Sequence, residues 1–238
     1  METGQFLERF RLLSREIQLG IQQLEKGLDA LRTDRGDMQL AKVKSIAEKI
    51  DEDWSDFSGW VLISTLEDIE EARKNCAAGL VNVKSKIHRS KIRATSQADQ
   101  HGVKIDVRDV GDVEVETYIP YFEQILDLGL LNAVKYSPRG QVVSVSCSWK
   151  GERAVVSIDS FGPLILKHEK PNLGKKGFRS ENAKMTDKPG DGFGLYNIFR
   201  LSELLNISVS INLSHKNIFE FGAIPYSDFS LILSIGRP

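Results

Sequence analysis

The 238-residue sequence predicts an N-terminal α-helical hairpin followed by an α+β two-layer sandwich, with helices on one face of a mixed β-sheet. Three observations predict it. Apolar residues recur at helical steps of three and four as far as Ala94. The composition turns polar just after that residue. Beyond it the pattern runs strand, helix, hairpin, long loop, helix, hairpin.

Residues 1–32 read as one amphipathic helix, with Phe6, Phe10, Leu13, Ile17, Ile21, Leu24, Leu28 and Leu31 on one face. A break at 33–37 leads to a second helical stretch carrying Leu40, Val43, Ile46 and Ile50. After an acidic, turn-like segment at 51–59, a long helix is expected over 60–94. Its stripe is Leu62, Leu66, Ile69, Cys76, Leu80, Val83 and Ile87. Such narrow, heptad-like stripes on long helices need partners. A hairpin that dimerises as a four-helix bundle is expected, the alternative being a three-helix bundle within one chain. This sets expected domains at 1–95 and 96–238.

In the second domain, 103–110 alternates like a strand, and 118–136 reads as a helix with Ile119, Phe122, Ile125, Leu126 and Leu130 inward. Alternating runs at 141–148 and 153–159 flank Lys150-Gly151-Glu152, a hairpin signal. The polar segment 163–189 is too long for a plain connection and is expected to be a lid. Residues 194–205 read as a helix, and 207–213, 218–221 and 229–235 as closing strands.

Bulk properties narrow the function. Hydrophobic residues at 41% and charged residues at 27% are an ordinary globular balance. A net charge of −1 points to neither a nucleic-acid nor a membrane partner. Cys76 and Cys147 lack metal-ligand spacing and read as buried thiols in a reducing compartment. With no signal-peptide pattern and no long uncharged run, a cytoplasmic protein is expected.

Two segments carry chemistry. Gly190-Asp191-Gly192-Phe193-Gly194-Leu195-Tyr196 closes the long loop and opens a helix. Glycines let the backbone approach phosphate oxygens, and the helix start offers unpaired N–H groups. No Gly-Lys-Ser/Thr follows, so this is no P-loop. The plainer reading is a lid hinge. The second segment is Asn132-Ala133-Val134-Lys135-Tyr136-Ser137-Pro138. The Asn132 oxygen suits magnesium, Lys135 on the same face neutralises phosphate, and Tyr136 offers a ring to base or sugar. Alone, each is equally a solvated group at a helix end.

Together these segments resemble the catalytic ATP-binding domain of the histidine kinases, within the GHKL (Bergerat-fold) ATPase superfamily. Residues 132–138 resemble the family's asparagine box and 160–165 its first glycine box. Residues 175–183 resemble the lid and 190–196 the second glycine box, all in family order. The resemblance covers about 103–236 and implies ATP and Mg²⁺ as ligands. Asn132 would bind the metal, Lys135 and Tyr136 would line the nucleotide, and Arg179 would sit in the lid near the phosphates. Gly190, Gly192, Gly194 and Leu195 would form the phosphate wall, with Gly162 in the first box.

Three departures matter. The family's adenine-binding carboxylate stands two residues before the first-box glycine. Counting back from Gly162 gives Ser160, while Asp159 is one further, so either a bulge brings Asp159 in or Ser160 serves through water. Leu128 occupies the position, four before Asn132, where the family carries Asn or a carboxylate. No histidine lies on the first two helical stretches. His88 sits late on the long helix among Lys84, Lys86, Arg89, Lys91 and Arg93, a run read as a solvated face. His101, His168 and His215 are expected in loops, exposed to solvent. The expected function is ATP-dependent signalling of histidine-kinase type. Phosphoryl transfer to a response-regulator-like or other partner, or slow hydrolysis, would be gated by the lid. The alternative is a non-catalytic, nucleotide-gated interaction module.

Overall fold

The computed structural model describes residues 78–236 apart from 187, 189 and 191, together with 17, 19–24, 26–28, 40, 42, 43, 46, 47 and 50. Phe6, Phe10, Leu13, Leu31, the break at 33–37, the acidic segment 51–59 and the expected helix over 60–77 with Cys76 lie outside the described residues. The chain divides into two compact units, Met1–Thr65 and Leu66–Pro238.

In the first unit, all described residues between Ile17 and Ile50 are helical. Two stretches run antiparallel across a glycine seam. A Cβ on Gly20 would lie 2.7 Å from Ile50 Cγ1, and one on Gly27 would lie 2.8 Å from Val43 Cγ2. Ile17 and Val43 are buried, whereas Leu19, Ile21, Leu28 and Leu40 are exposed. Ile21 and Leu28, expected on the inner stripe, therefore stand outside this seam. It follows Ile17, Gly20, Leu24 and Gly27, because small residues allow the closest backbone approach.

Among the described residues of the second unit, strand β1 (Ala78–Asn82) comes first, then helix α1 (Val83–His101). Over 78–82 this corrects the expected helix of 60–94, while 83–94 is helical as expected. Leu80, Val83 and Ile87 have helical spacing, yet Leu80 is 62% exposed and Val81 is 1% exposed, the alternation of a strand. The helix starts at Asn82, whose side chain accepts a hydrogen bond from the Ser85 N–H at 2.9 Å. It runs through the expected boundary at 95/96, because Ser90, Ala94 and Ala98 continue the buried stripe. Gly102, at φ 64°, ends it.

Strands β2 (Lys104–Val110) and β3 (Glu114–Tyr118) follow, the latter unanticipated and paired antiparallel with β1. Helix α2 spans Ile119–Tyr136, β4 Val142–Lys150 and β5 Arg153–Pro163. The long loop is not structureless. It holds a 3₁₀ turn at Lys170–Asn172 and helix α3 at Glu181–Met185. Helix α4 (Gly194–Leu205), β6 (Ser208–Leu213), β7 (Phe219–Phe221) and β8 (Ile224–Gly236) complete the unit.

The main sheet has the order β2-β4-β5-β8-β6, with β7 paired to β8. Only β2 and β4 run parallel, so the sheet is mixed. Val143, Val145, Val156, Ile158, Leu231 and Leu233 are buried on one face, beneath the helices. The alternate positions carry Ser144, Ser146, Ser157, Ser230 and Ser234, which suits an antiparallel sheet with one face toward water. Helix α2 crosses the sheet closely at Gly129. A Cβ there would lie 2.9 Å from both Ile158 Cδ1 and Leu231 Cδ2.

Candidate functional site

Helix α2 projects Asn132, Lys135 and Tyr136 toward the start of α4, since residues three and four apart share a face. The amide of Asn132 meets Gly194, where a Cβ would lie 2.5 Å from Nδ2 and 2.7 Å from Oδ1. Lys135 Nζ reaches Gly190, 2.5 Å from the Cβ position there. Gly192 has φ +80°, and a Cβ on it would strike the backbone of Gly177 and Phe178 at 2.6–2.9 Å. The glycine loop is thus wedged between α2 and the lid.

These groups border a cavity of about 130 Å³. Its floor is the sheet, at Ser160, Gly162 and Phe229, and its roof is the lid, at Leu173, Phe178, Arg179 and Ala183. Asn132, Lys135 and Tyr136 form one wall, and Gly190, Gly192, Gly194 and Leu195 another. The residues named from sequence therefore come together, with one exception.

The exception is Asp159. The β5–β8 register runs unbroken through Asp159↔Ser230 and Ser160↔Phe229, so no bulge rotates the chain. Neighbours on a strand face opposite ways. Ser160 lies on the cavity floor, and the Asp159 carboxylate accepts from Ser157 Oγ at 3.0 and 3.1 Å on the other face.

Arg179 lines the cavity, but its guanidinium is engaged within the protein. Nη1 donates to the Gly190 carbonyl at 3.1 Å, and Nη2 to the carbonyls of Ala183 at 2.7 Å and Lys188 at 2.9 Å. Arg179 thus clasps the lid to the glycine loop. Its Nε, like Asn132 Nδ2, is a buried donor with no protein partner. Such orphaned donors suit an anionic or otherwise acceptor-rich ligand.

Sequence reasoning missed Glu169. It is 4% exposed, and its carboxylate accepts from the N–H of Leu166 at 2.9 Å and of Glu181 at 2.7 Å. Asn182 Nδ2 donates to the Leu164 carbonyl at 2.7 Å, and Ser180 caps α3. The two ends of the lid are fastened together by these bonds. His168 and Glu181 stand close to Glu169, but the Glu169 oxygens are already taken by backbone donors.

Behind α2, the Asp127 side chain is 8% exposed and pairs with Arg93, while Glu123 pairs with Lys86 at 2.5 Å. Burial outweighs the Ser90 hydroxyl and the Arg93 guanidinium and holds the Asp127 carboxyl above its ordinary range. Burial likewise raises the Cys147 thiol to about 11, so it stays protonated. His88 and His168 are exposed. His101, expected in a solvated loop, is the last residue of α1 and lies 3.5 Å from Lys188 Nζ. His215 is half-buried, with Nδ1 3.0 Å from the Ile165 carbonyl. Among the described residues, no helix is long and apolar enough to cross a membrane.

Residues 117–227 match the family of histidine kinase-, DNA gyrase B- and HSP90-like ATPases. Among solved structures, the mycobacterial sensor histidine kinase MprB is similar over 68% of this chain and 99% of its own, at 21% identity and a TM-score of 0.53. The Acinetobacter baumannii histidine kinase AdeS is similar over 93% of this chain and 97% of its own, at 17% identity and a TM-score of 0.53. Full-length ShkA in complex with AMPPNP is similar over 97% of this chain and 47% of its own, at 18% identity and a TM-score of 0.56. At these identities the structural likeness is one of fold.

Proposed function

From a C-terminal domain that belongs to the histidine kinase-, DNA gyrase B- and HSP90-like ATPase family, we propose a signalling protein that binds ATP with Mg²⁺ beneath its lid. The observation that carries this reading is the meeting of Asn132, Lys135 and the glycine loop at one cavity. Lys135 and the N-terminus of α4 offset phosphate charge, and the glycine backbone admits the phosphate oxygens closely. The Asn132 oxygen is a hard donor that would hold Mg²⁺, with waters and phosphate oxygens completing its shell. Magnesium, when bound, neutralises charge developing on the phosphates.

Lid closure is the output step. Arg179 and Glu169 already order the lid, and contacts from Leu173, Phe178 and Arg179 would seal it over the nucleotide. Calorimetric titration with ATP, with and without Mg²⁺, tests the site. Asn132→Ala is expected to weaken Mg²⁺-dependent binding at least about tenfold, the equivalent of about 1.4 kcal/mol. Unchanged affinity would overturn the assignment.

Two uses of the nucleotide follow the same binding step. In the kinase reading, the γ-phosphoryl passes to a partner, response-regulator-like or other, or slowly to water. The reading as a nucleotide-gated interaction module is supported by Leu128, four residues before Asn132, where the family carries Asn or a carboxylate. Incubation with γ-labelled ATP separates the two. Label on the chain or a co-purified partner supports transfer, and binding without transfer or turnover supports the switch.

The exposed Leu19, Ile21, Leu28 and Leu40 of the N-terminal helices support a homodimer formed through that unit. Light scattering of the full chain tests this. A double Ile21→Glu, Leu28→Glu variant is expected to be monomeric.

A further inference from the structure

The cavity floor bears on which nucleotide the site takes, a question that rests on the nucleotide-binding reading above. The glycine loop, Asn132 and Lys135 define the phosphate end. The sheet floor and the lid interior, with Phe229, Ile165, Leu173 and Ala183, supply the apolar surface that a base needs. Ser160 projects from that floor directly opposite Phe229 in the β5–β8 register.

Other polar side chains near this end are engaged in part within the protein. Arg179 holds three backbone carbonyls, and Ser180 Oγ accepts from the Ala183 N–H as the cap of α3. Asp159 faces away, bonded to Ser157. Among the described residues, the Ser160 hydroxyl is the side-chain group of the floor placed to meet a base edge. Its contact with the Phe229 carbonyl, at 3.5 Å, is at the outer limit of a hydrogen bond, so the hydroxyl keeps its rotational freedom.

That freedom decides selectivity. A carboxylate only accepts, so it favours an exocyclic amino group and repels a carbonyl oxygen. A serine hydroxyl donates or accepts as required. It bonds equally to the amino group of adenine and to the carbonyl oxygen of guanine or hypoxanthine. We infer that this site takes purine nucleoside triphosphates with little discrimination at the six-position of the ring, and that Ser160 is the residue responsible.

The test is calorimetric titration of the full chain with the Mg²⁺ complexes of ATP, GTP and ITP. The three dissociation constants are expected to agree within about tenfold, the scale of one neutral hydrogen bond. Ser160→Asp is expected to weaken GTP and ITP more than about tenfold relative to ATP, because a carboxylate meets a carbonyl oxygen repulsively. ATP bound more than about a hundredfold tighter than GTP by the unaltered chain would overturn the inference while leaving the ATP site standing. So would a Ser160→Asp variant with an unchanged ratio. Binding of no nucleotide at all would overturn the ATP-site reading itself, and this inference with it. Ser160→Ala keeps the proposal testable if the aspartate variant fails to fold. It should weaken ATP and GTP alike, and a loss confined to ATP would count against a shared contact.

Discussion

The side-chain amide of Asn132 occupies the space that a residue larger than glycine would claim at position 194, with Nδ2 2.5 Å from that missing Cβ. The first turn of α4 and the fourth turn of α2 are therefore fitted to each other through one amide. Gly194→Ala should leave the fold intact, since alanine suits a helix start better than glycine. It must push the Asn132 amide aside. We expect ATP affinity to fall about tenfold or more while the melting temperature holds or rises. Titration alongside thermal unfolding checks this, and a variant that binds normally would contradict the fit.

Glu169 fastens the lid through two charge-assisted bonds to backbone N–H groups. Glu169→Ala leaves both donors unpaired and is expected to destabilise the lid by about 2–4 kcal/mol. Amide exchange should quicken across 166–185 and stay unchanged in β4, β5 and β8. Uniform protection in the variant would show that the lid is held by other means.

The Asp127 carboxyl sits above its ordinary range because it is buried. In the unfolded chain it returns to about 3.9. A group whose pKa is higher folded than unfolded contributes fully below the unfolded value and loses that contribution as pH rises through the folded one. Stability linked to Asp127 therefore declines from about pH 4 upward. Asp127→Asn should flatten this part of the stability–pH curve, measured by denaturant unfolding at several pH values. An unaltered slope would assign the dependence to other groups.

The glycine loop and the Asn132 segment were legible because each carries its chemistry in consecutive residues. Positive φ at Gly192 and the shared helix face of Asn132 and Lys135 follow from local rules. What strand neighbours decide was not legible. Whether Asp159 or Ser160 faces the cavity depends on the unbroken register with β8, which no local pattern encodes. Strand β1 escaped for a related reason. Leu80 mimics a helical stripe, and only its pairing opposite Glu116 on β3 explains its outward position. Glu169 was hidden because its partners are main-chain groups whose positions the shape of the loop sets.

Gly129 fixes how low α2 rides over the sheet, with the side chains of Ile158 and Leu231 filling the space beside it. Asn132 stands just three residues further along that helix. The headroom above the floor is thus set by a residue outside the cavity lining. Relatives with a bulkier side chain at this point would need smaller partners on β5 or β8 to keep the same clearance.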